Sequence, residues 1–329
     1  MIISQTPLRI SISGGGTDFR EYYSQKEGFV VSTAIDKYIF VIVKERFDDL
    51  IYVNYTKKEI VESVSEIQHE LVKEVLKKTG LSKGIEITML ADVPSEGSGL
   101  GSSSSLTVGL LNAIYAYQGI QVTSEQLAME ACEIEINILK KPIGKQDQYI
   151  AAYGGLRTIK FNKDGRVETK LLIIPNNLKR KLGANLLLFY TNITRKSASI
   201  LTEQKNSINQ KIEYHDKIKL LAKEVEYNLE KGFVDETGNI LAKNWNLKKN
   251  LSSNVTNNEI DDMYDKAVNG GAIGGKIAGA GGGGFLLVYC KRENQDNLRE
   301  QMKNYREMSF MLEPHGSKII FNYSRYELK

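Results

Sequence analysis

The sequence is poor in the residues that build cross-linked or metal-centred folds. Two cysteines, Cys132 and Cys290, stand in apolar contexts and are too few for a disulfide framework, which points to a reducing compartment. Three histidines, His69, His215 and His315, lie far apart without ligand spacing, which argues against a zinc centre or a histidine-based triad. No apolar run reaches the length of a membrane span, and the N-terminus shows no charged-then-apolar leader. A cytoplasmic protein with no membrane partner is therefore expected. The formal charge of +4 over 329 residues is small, and no basic stripe interleaved with aromatics occurs, so no nucleic-acid partner is expected. No lysine lies between Lys83 and Lys140, so the glycine loop in that interval cannot be the Gly-Lys-Ser/Thr type of phosphate loop.

That loop runs from Pro94 to Ser105 as Pro-Ser-Glu-Gly-Ser-Gly-Leu-Gly-Ser-Ser-Ser-Ser. Strand-like Ile85, Ile87 and Met89 lead in, and a small-residue helical segment from Leu106 leads out. Gly97, Gly99 and Gly101 allow tight turning and close approach to a ligand. The hydroxyls of Ser102, Ser103, Ser104 and Ser105 open the helix, where free N–H groups and the positive dipole end attract an anion. A flexible Gly/Ser linker is the competing reading, and the ordered flanks argue against it.

The rest of the chain is long enough for a second domain. A strand over 7–13 ends in Gly14-Gly15-Gly16-Thr17-Asp18, with Arg9 before the turn and Asp18 after it aimed at one cleft. Residues 29–47 read as one or two strands broken at Asp36-Lys37, and 51–55 as another. Helical spacing covers 60–79, and a helix capped by Thr123 or Ser124 carries Glu130, Glu133 and Glu135 before Pro142 and Gly144. A hairpin is expected around Asp164-Gly165, and a boundary between Pro175 and Gly183 separates domains 1–180 and 181–329. Beyond it come a strand over 184–191, a long amphipathic helix over about 200–229 and a helix over 259–268. The glycine-rich run 270–284, a strand over 285–289, a helix over 293–305 and a strand over 318–323 complete the chain.

Three glycine-rich stretches at distant positions, in this order, resemble the GHMP kinase superfamily. The matching segments are Pro7-Leu8-Arg9 with Gly14 to Asp18, Gly99-Leu100-Gly101-Ser102-Ser103, and Gly279-Ala280-Gly281-Gly282-Gly283. One extra residue separates Pro94 from Gly-Leu-Gly, a small departure. The resemblance implies an α+β fold of two domains, the first ribosomal-protein-like and the second ferredoxin-like. It implies ATP at Pro94, Gly97 and Gly99 through Ser104, with Mg2+ held by Ser103 and Glu135. It assigns Asp147 as the general base, where a helix N-cap is the competing role, and Arg9 as the cation at the transferring phosphate. Gly15, Gly16, Thr17, Asp18, Gly281 and Gly282 become the substrate contacts. Within the family, Gly-Lys-Gln-Asp-Gln-Tyr (144–149) and Thr-Asn-Ile-Thr-Arg (191–195) look most like the branch acting on heptose 7-phosphate. That implies a sugar phosphate substrate phosphorylated on its anomeric hydroxyl, with Arg195 and Lys196 as candidate phosphate contacts. A kinase of unphosphorylated sugars and a silent nucleotide- and sugar-binding regulator remain the alternatives.

Overall fold

A run of Val, Ile and Tyr residues forms the longest strand, 18 residues, and the first sheet is assembled on it. The structure is a computed structural model describing residues 1–94, 97–194 and 197–323. The first half of the chain runs β1 (Ile2–Ser13), α1 (Arg20–Tyr23), β2 (Gly28–Glu45), β3 (Ile51–Asn54) and β4 (Lys58–Val61). It continues through α2 (Glu70–Thr79), β5 (Ile85–Ala91), α3 (Ser102–Tyr117), α4 (Ser124–Cys132), α5 (Gln146–Tyr153), β6 (Leu156–Phe161) and β7 (Val167–Leu171). The second half begins with α6 (Asn176–Asn185), β8 (Leu186–Tyr190), α7 (Ser197–Asn206), α8 (Ile212–Lys231), α9 (Glu236–Lys248) and α10 (Asn258–Asn269). It ends with β9 (Gly274–Ile277), β10 (Phe285–Tyr289), α11 (Gln295–Gln301), β11 (Glu307–Met308) and β12 (Lys318–Asn322).

Sheet one has the order β12-β1-β2-β5-β3-β4, and the first part of β2 also pairs β6, which carries β7. The length of β2 lets its early residues bond β6 while its late residues bond β5. All these pairs are antiparallel except β3 with β5. Sheet two, β11-β8-β10-β9, is antiparallel throughout. Helices cover both sheets, giving the expected α+β class. Strand β12 returns from the end of the chain to the free edge of β1.

The alternation along β1 divides its side chains between two environments. Ser4 donates to the Gly109 carbonyl of α3 at 2.8 Å, whereas Ser13 donates to Asn244 Oδ1 of α9 at 2.8 Å. Arg9 and Ser11 share the Ser13 side and face the second half of the chain. Helix α3 is buried around most of its surface, as expected of a small, apolar segment packed centrally on β1 and β2.

Several expected elements differ. The break at Asp36-Lys37 is a bulge within β2: Pro7 faces Tyr38 and Leu8 faces Ile35, leaving the two residues unpaired where proline offers no N–H. Residues 60–79 form the end of β4, a short 3-10 turn at Val64–Glu66 and then α2. Here Glu59 accepts from the backbone N–H groups of Gln68 and His69, and this tie holds the chain out of a continuous helix. The helix over 200–229 is interrupted between α7 and α8, where Ile208 buries itself against Phe19 and Tyr22. The helix over 293–305 shortens to a 3-10 turn and α11.

Candidate active site

The second and third glycine-rich turns meet, and the first lines a cavity with the third. An added Cβ on Gly99 would lie 2.6 Å from the Ala278 carbonyl oxygen, and one on Gly279 would lie 2.7 Å from Gly99 Cα. Both residues have positive φ, so glycine is needed there for conformation and for closeness. At the other end of the same contact, Gly284 packs on the carbonyls of Gly97 and Ser98. The first turn joins through Arg9, whose N–H donates to the Leu100 carbonyl at 3.0 Å and whose Nη1 donates to the Gly99 carbonyl at 2.6 Å.

Arg9 also grips Asp147. Its Nε donates to Oδ1 at 2.7 Å and its Nη2 to Oδ2 at 2.6 Å, a bidentate pair in which Arg9 is buried and the Asp147 side chain is 23% exposed. Asp147 lies in the first turn of α5, with Lys145 as the N-cap, so it does not play the capping role. The Cβ position of Gly101, the residue that opens α3, is 3.4 Å from Asp147 Oδ2. The carboxylate thus sits beside the helix N-terminus read as the phosphate cradle.

Glu135 is fully buried and accepts three hydrogen bonds: Ser103 Oγ at 2.6 Å, Ser104 Oγ at 2.7 Å and Gln148 Nε2 at 2.6 Å. It has no cationic side chain among these donors. A buried carboxylate held only by neutral groups, next to an exposed serine hydroxyl at the loop, fits a hard divalent cation taking its other ligands from water and phosphate. Ser103 and Glu135 are the residues that would hold it. The other loop serines face inward: Ser102 Oγ meets Ser98 Oγ at 3.0 Å, and Ser105 donates to the Pro7 carbonyl. Pro94 is separate, lining a cleft with Tyr190, Phe285 and Met308.

A cavity opens on the far side of Asp147, lined by Arg9, Ser11, Gly15, Gly16, Asp18 and Gln146 from the first half of the chain. Lys248, Leu251, Lys276, Gly279 and Ala280 line it from the second half. Asp18 accepts from the N–H groups of Gly16 at 2.9 Å and Gln146 at 3.2 Å. Burial, and then the charge of Asp147, raise its pKa above the usual carboxylate value. Thr17 is turned away from the cavity, bonding the carbonyls of Gly14 and Phe29. Gly281 packs on Val255, and Gly282 donates to the Val255 carbonyl, so these two brace the third turn and do not line the cavity. Arg195 and Lys196 lie outside the described residues.

Four groups escaped the sequence reading. Gln148 holds Glu135 from within the motif that carries Asp147. Gly144 lies against Asp18, where an added Cβ would meet Oδ2 at 2.0 Å. Lys248 and Lys276 are buried in the cavity wall, and nothing in their local spacing marks them. Among the described residues, no helix is long and apolar enough to cross a membrane.

The comparisons agree with this geometry. The N-terminal domain of GHMP kinases matches residues 53–155 and the C-terminal domain matches residues 225–307. D-glycero-alpha-D-manno-heptose 7-phosphate kinase of Campylobacter jejuni is 32% identical, over 95% of this chain and 97% of its own length. A crystal structure of a D-glycero-D-manno-heptose 1-phosphate kinase from Bacteroides thetaiotaomicron is 26% identical, with a TM-score of 0.83 over 98% of this chain and all of that one. L-fucokinase/L-fucose-1-P guanylyltransferase of Bacteroides fragilis is 27% identical over 88% of this chain and 35% of its own length. With both domains matched, a relative 32% identical over nearly the whole chain and the second and third glycine turns in contact, the chain belongs to the GHMP kinase family and is an ATP-dependent kinase.

Proposed function

We propose that this sugar kinase transfers the terminal phosphoryl group of ATP to the anomeric hydroxyl of D-glycero-D-manno-heptose 7-phosphate. The product is the 1,7-bisphosphate, a precursor for GDP-heptose synthesis in the cytoplasm. The observation that carries this reading is the position of Asp147, which lines the polar cavity on one side and adjoins the start of α3 on the other. The relative in Campylobacter jejuni supplies the choice of sugar. The reading divides the chain near residue 180 into 1–180 and 181–329, with β12 crossing back to the first sheet.

Asp147 orients the anomeric hydroxyl and accepts its proton as the oxygen attacks phosphorus. The bond from the phosphorus to the bridging oxygen then breaks, and its electron pair leaves with ADP. The carboxylate oxygens keep accepting capacity beyond their two bonds from Arg9. Arg9 fixes the base in place and lends positive charge beside the developing phosphoryl charge. The backbone N–H groups at the start of α3 cradle the nucleotide phosphates. Ser103 and Glu135 would hold Mg2+, which would supply charge neutralisation at those phosphates. Asp18 and the backbone of Gly15 and Gly16 meet the sugar hydroxyls.

Coupled ADP-release assays with a panel of sugar phosphates and free sugars test the proposal, with phosphorus NMR locating the new phosphate. Turnover highest with the heptose 7-phosphate and a new anomeric phosphate is the expected result. Higher kcat/KM on an unphosphorylated sugar such as L-fucose, to which the Bacteroides fragilis relative points, overturns the substrate assignment.

A further inference from the structure

Two lysine amines in the cavity wall have no carboxylate partner among the described residues. Lys248, at the end of α9, and Lys276, on β9, are 8% and 4% exposed. Lys248 Nζ donates to the carbonyls of Ile277, at 3.1 Å, and Gly279, which carry no net charge. Lys276 Nζ makes no hydrogen bond or ion pair with any described residue. The two cavity carboxylates are engaged elsewhere: Asp147 is paired with Arg9, and Asp18 accepts from the backbone N–H groups of Gly16 and Gln146. Burial pushes the Lys248 amine down to about 7, and burial with the neighbouring charges of Lys248 and Arg9 lowers that of Lys276 well below its ordinary value. The protein alone does little to hold either amine in its charged form, so a bound anion that paired with them would favour it.

We propose that Lys248 and Lys276 receive a phosphate group that the sugar already carries, and thereby select a sugar phosphate over the free sugar. The inference rests on the sugar-phosphate reading above and names the residues that read the phosphate. Compact amines that gain a proton beside an anion suit a phosphate dianion. The cavity they share is furnished for a polyol, because Ser11 Oγ and Gln146 Oε1 are buried there without partners. The terminal phosphate of ATP is the other source of the same chemistry. Neither Ser103 nor Glu135, the cation-binding pair of the nucleotide loop, lines this cavity, which favours the sugar as the source.

The test compares wild type with Lys248→Met, Lys276→Met and Lys276→Arg. KM is measured for heptose 7-phosphate, for the unphosphorylated heptose and for ATP, with inorganic phosphate as a competitive inhibitor. Loss of either lysine is expected to raise KM for the sugar phosphate by about 10- to 100-fold, the scale of a charge-assisted hydrogen bond. KM for the free heptose and for ATP should stay within about twofold, because uniform binding through the phosphate alone is lost. Lys276→Arg should recover part of the loss, and Lys276→Met should melt no lower than wild type, since a buried amine without a hydrogen-bond acceptor among the described residues is removed. A parallel rise for phosphorylated and free sugar, a rise confined to ATP, or no change overturns the inference. Should wild type favour free sugar, the substrate assignment fails by itself. The lysine pair is then upheld by phosphate inhibition competitive with sugar and weakened in Lys276→Met, and rejected without it. Should the methionine variants not fold, competition of inorganic phosphate with ATP instead of sugar in wild type overturns it.

Discussion

Arg9 and Asp147 are 138 residues apart in sequence and form a two-pronged ion pair with bonds of 2.7 and 2.6 Å. Strand β1 supplies the cation and the first turn of α5 supplies the acid, so the pair locks the position of the proposed base relative to the glycine loop at α3. Asp147→Ala is expected to lower kcat by about 10²- to 10⁴-fold while largely sparing ATP binding. Arg9→Lys should also lose most activity, because a single ammonium cannot reproduce the fork. Coupled assays with ATP titrations check both, and near wild-type turnover of Asp147→Ala rejects the base assignment.

The assignment of Ser103 and Glu135 to a cation offers a second test through Gln148. Gln148 donates to Glu135 Oε2 at 2.6 Å and orients the carboxylate. Gln148→Leu is expected to weaken Mg2+ activation by about 10- to 100-fold, as loss of an orienting partner does elsewhere. Turnover against MgCl2 at fixed ATP measures it; an unchanged half-saturation point contradicts the assignment of Glu135.

Gly144 is a steric requirement of the Asp18 carboxyl, the proposed sugar contact. An alanine methyl there would stand 2.0 Å from Asp18 Oδ2, so Gly144→Ala must displace that carboxyl. Its KM for sugar should rise at least about tenfold, the equivalent of losing one or more hydrogen bonds, while KM for ATP changes little. Equal effects on both substrates would mean that Asp18 does not serve the sugar.

His215 ties stability to pH. Its ring is buried against Gly16 and Tyr22, neither nitrogen has a partner, and burial drives its pKa down from 6.5 to about 4. Asp216 opposes that shift and Lys211 adds to it. Between pH 4 and 6.5 the unfolded chain binds the extra proton, so the stabilisation present above pH 6.5 is lost as pH falls through this window. The loss amounts to about 3 kcal/mol by linkage. His215→Leu should flatten the fall in melting temperature over that interval; identical pH profiles for the two proteins refute the linkage.

The comparison between expected and observed elements follows the range of the forces involved. Strand β10 over Phe285–Tyr289 and strand β6 over Leu156–Phe161 were legible because an apolar run between turns has one dominant local solution. The helix expected over 60–79 failed because the Glu59 tie to Gln68 and His69 outweighs helical spacing. The α7–α8 break escaped notice because it serves Phe19 and Tyr22, far away in sequence.

By itself the sequence determined the family and the positions of the three glycine turns, and it singled out Asp147, Arg9, Ser103 and Glu135 as candidates. Those signals are local, since each turn needs glycine where the backbone adopts positive φ or approaches another chain segment. Only the tertiary structure decided that Arg9 closes on Asp147, that Gly281 and Gly282 brace Val255, and that Lys248 and Lys276 share the cavity. A lysine at the end of a helix and another on a strand look like ordinary solvated charges until packing removes them from water and leaves them without a counter-ion.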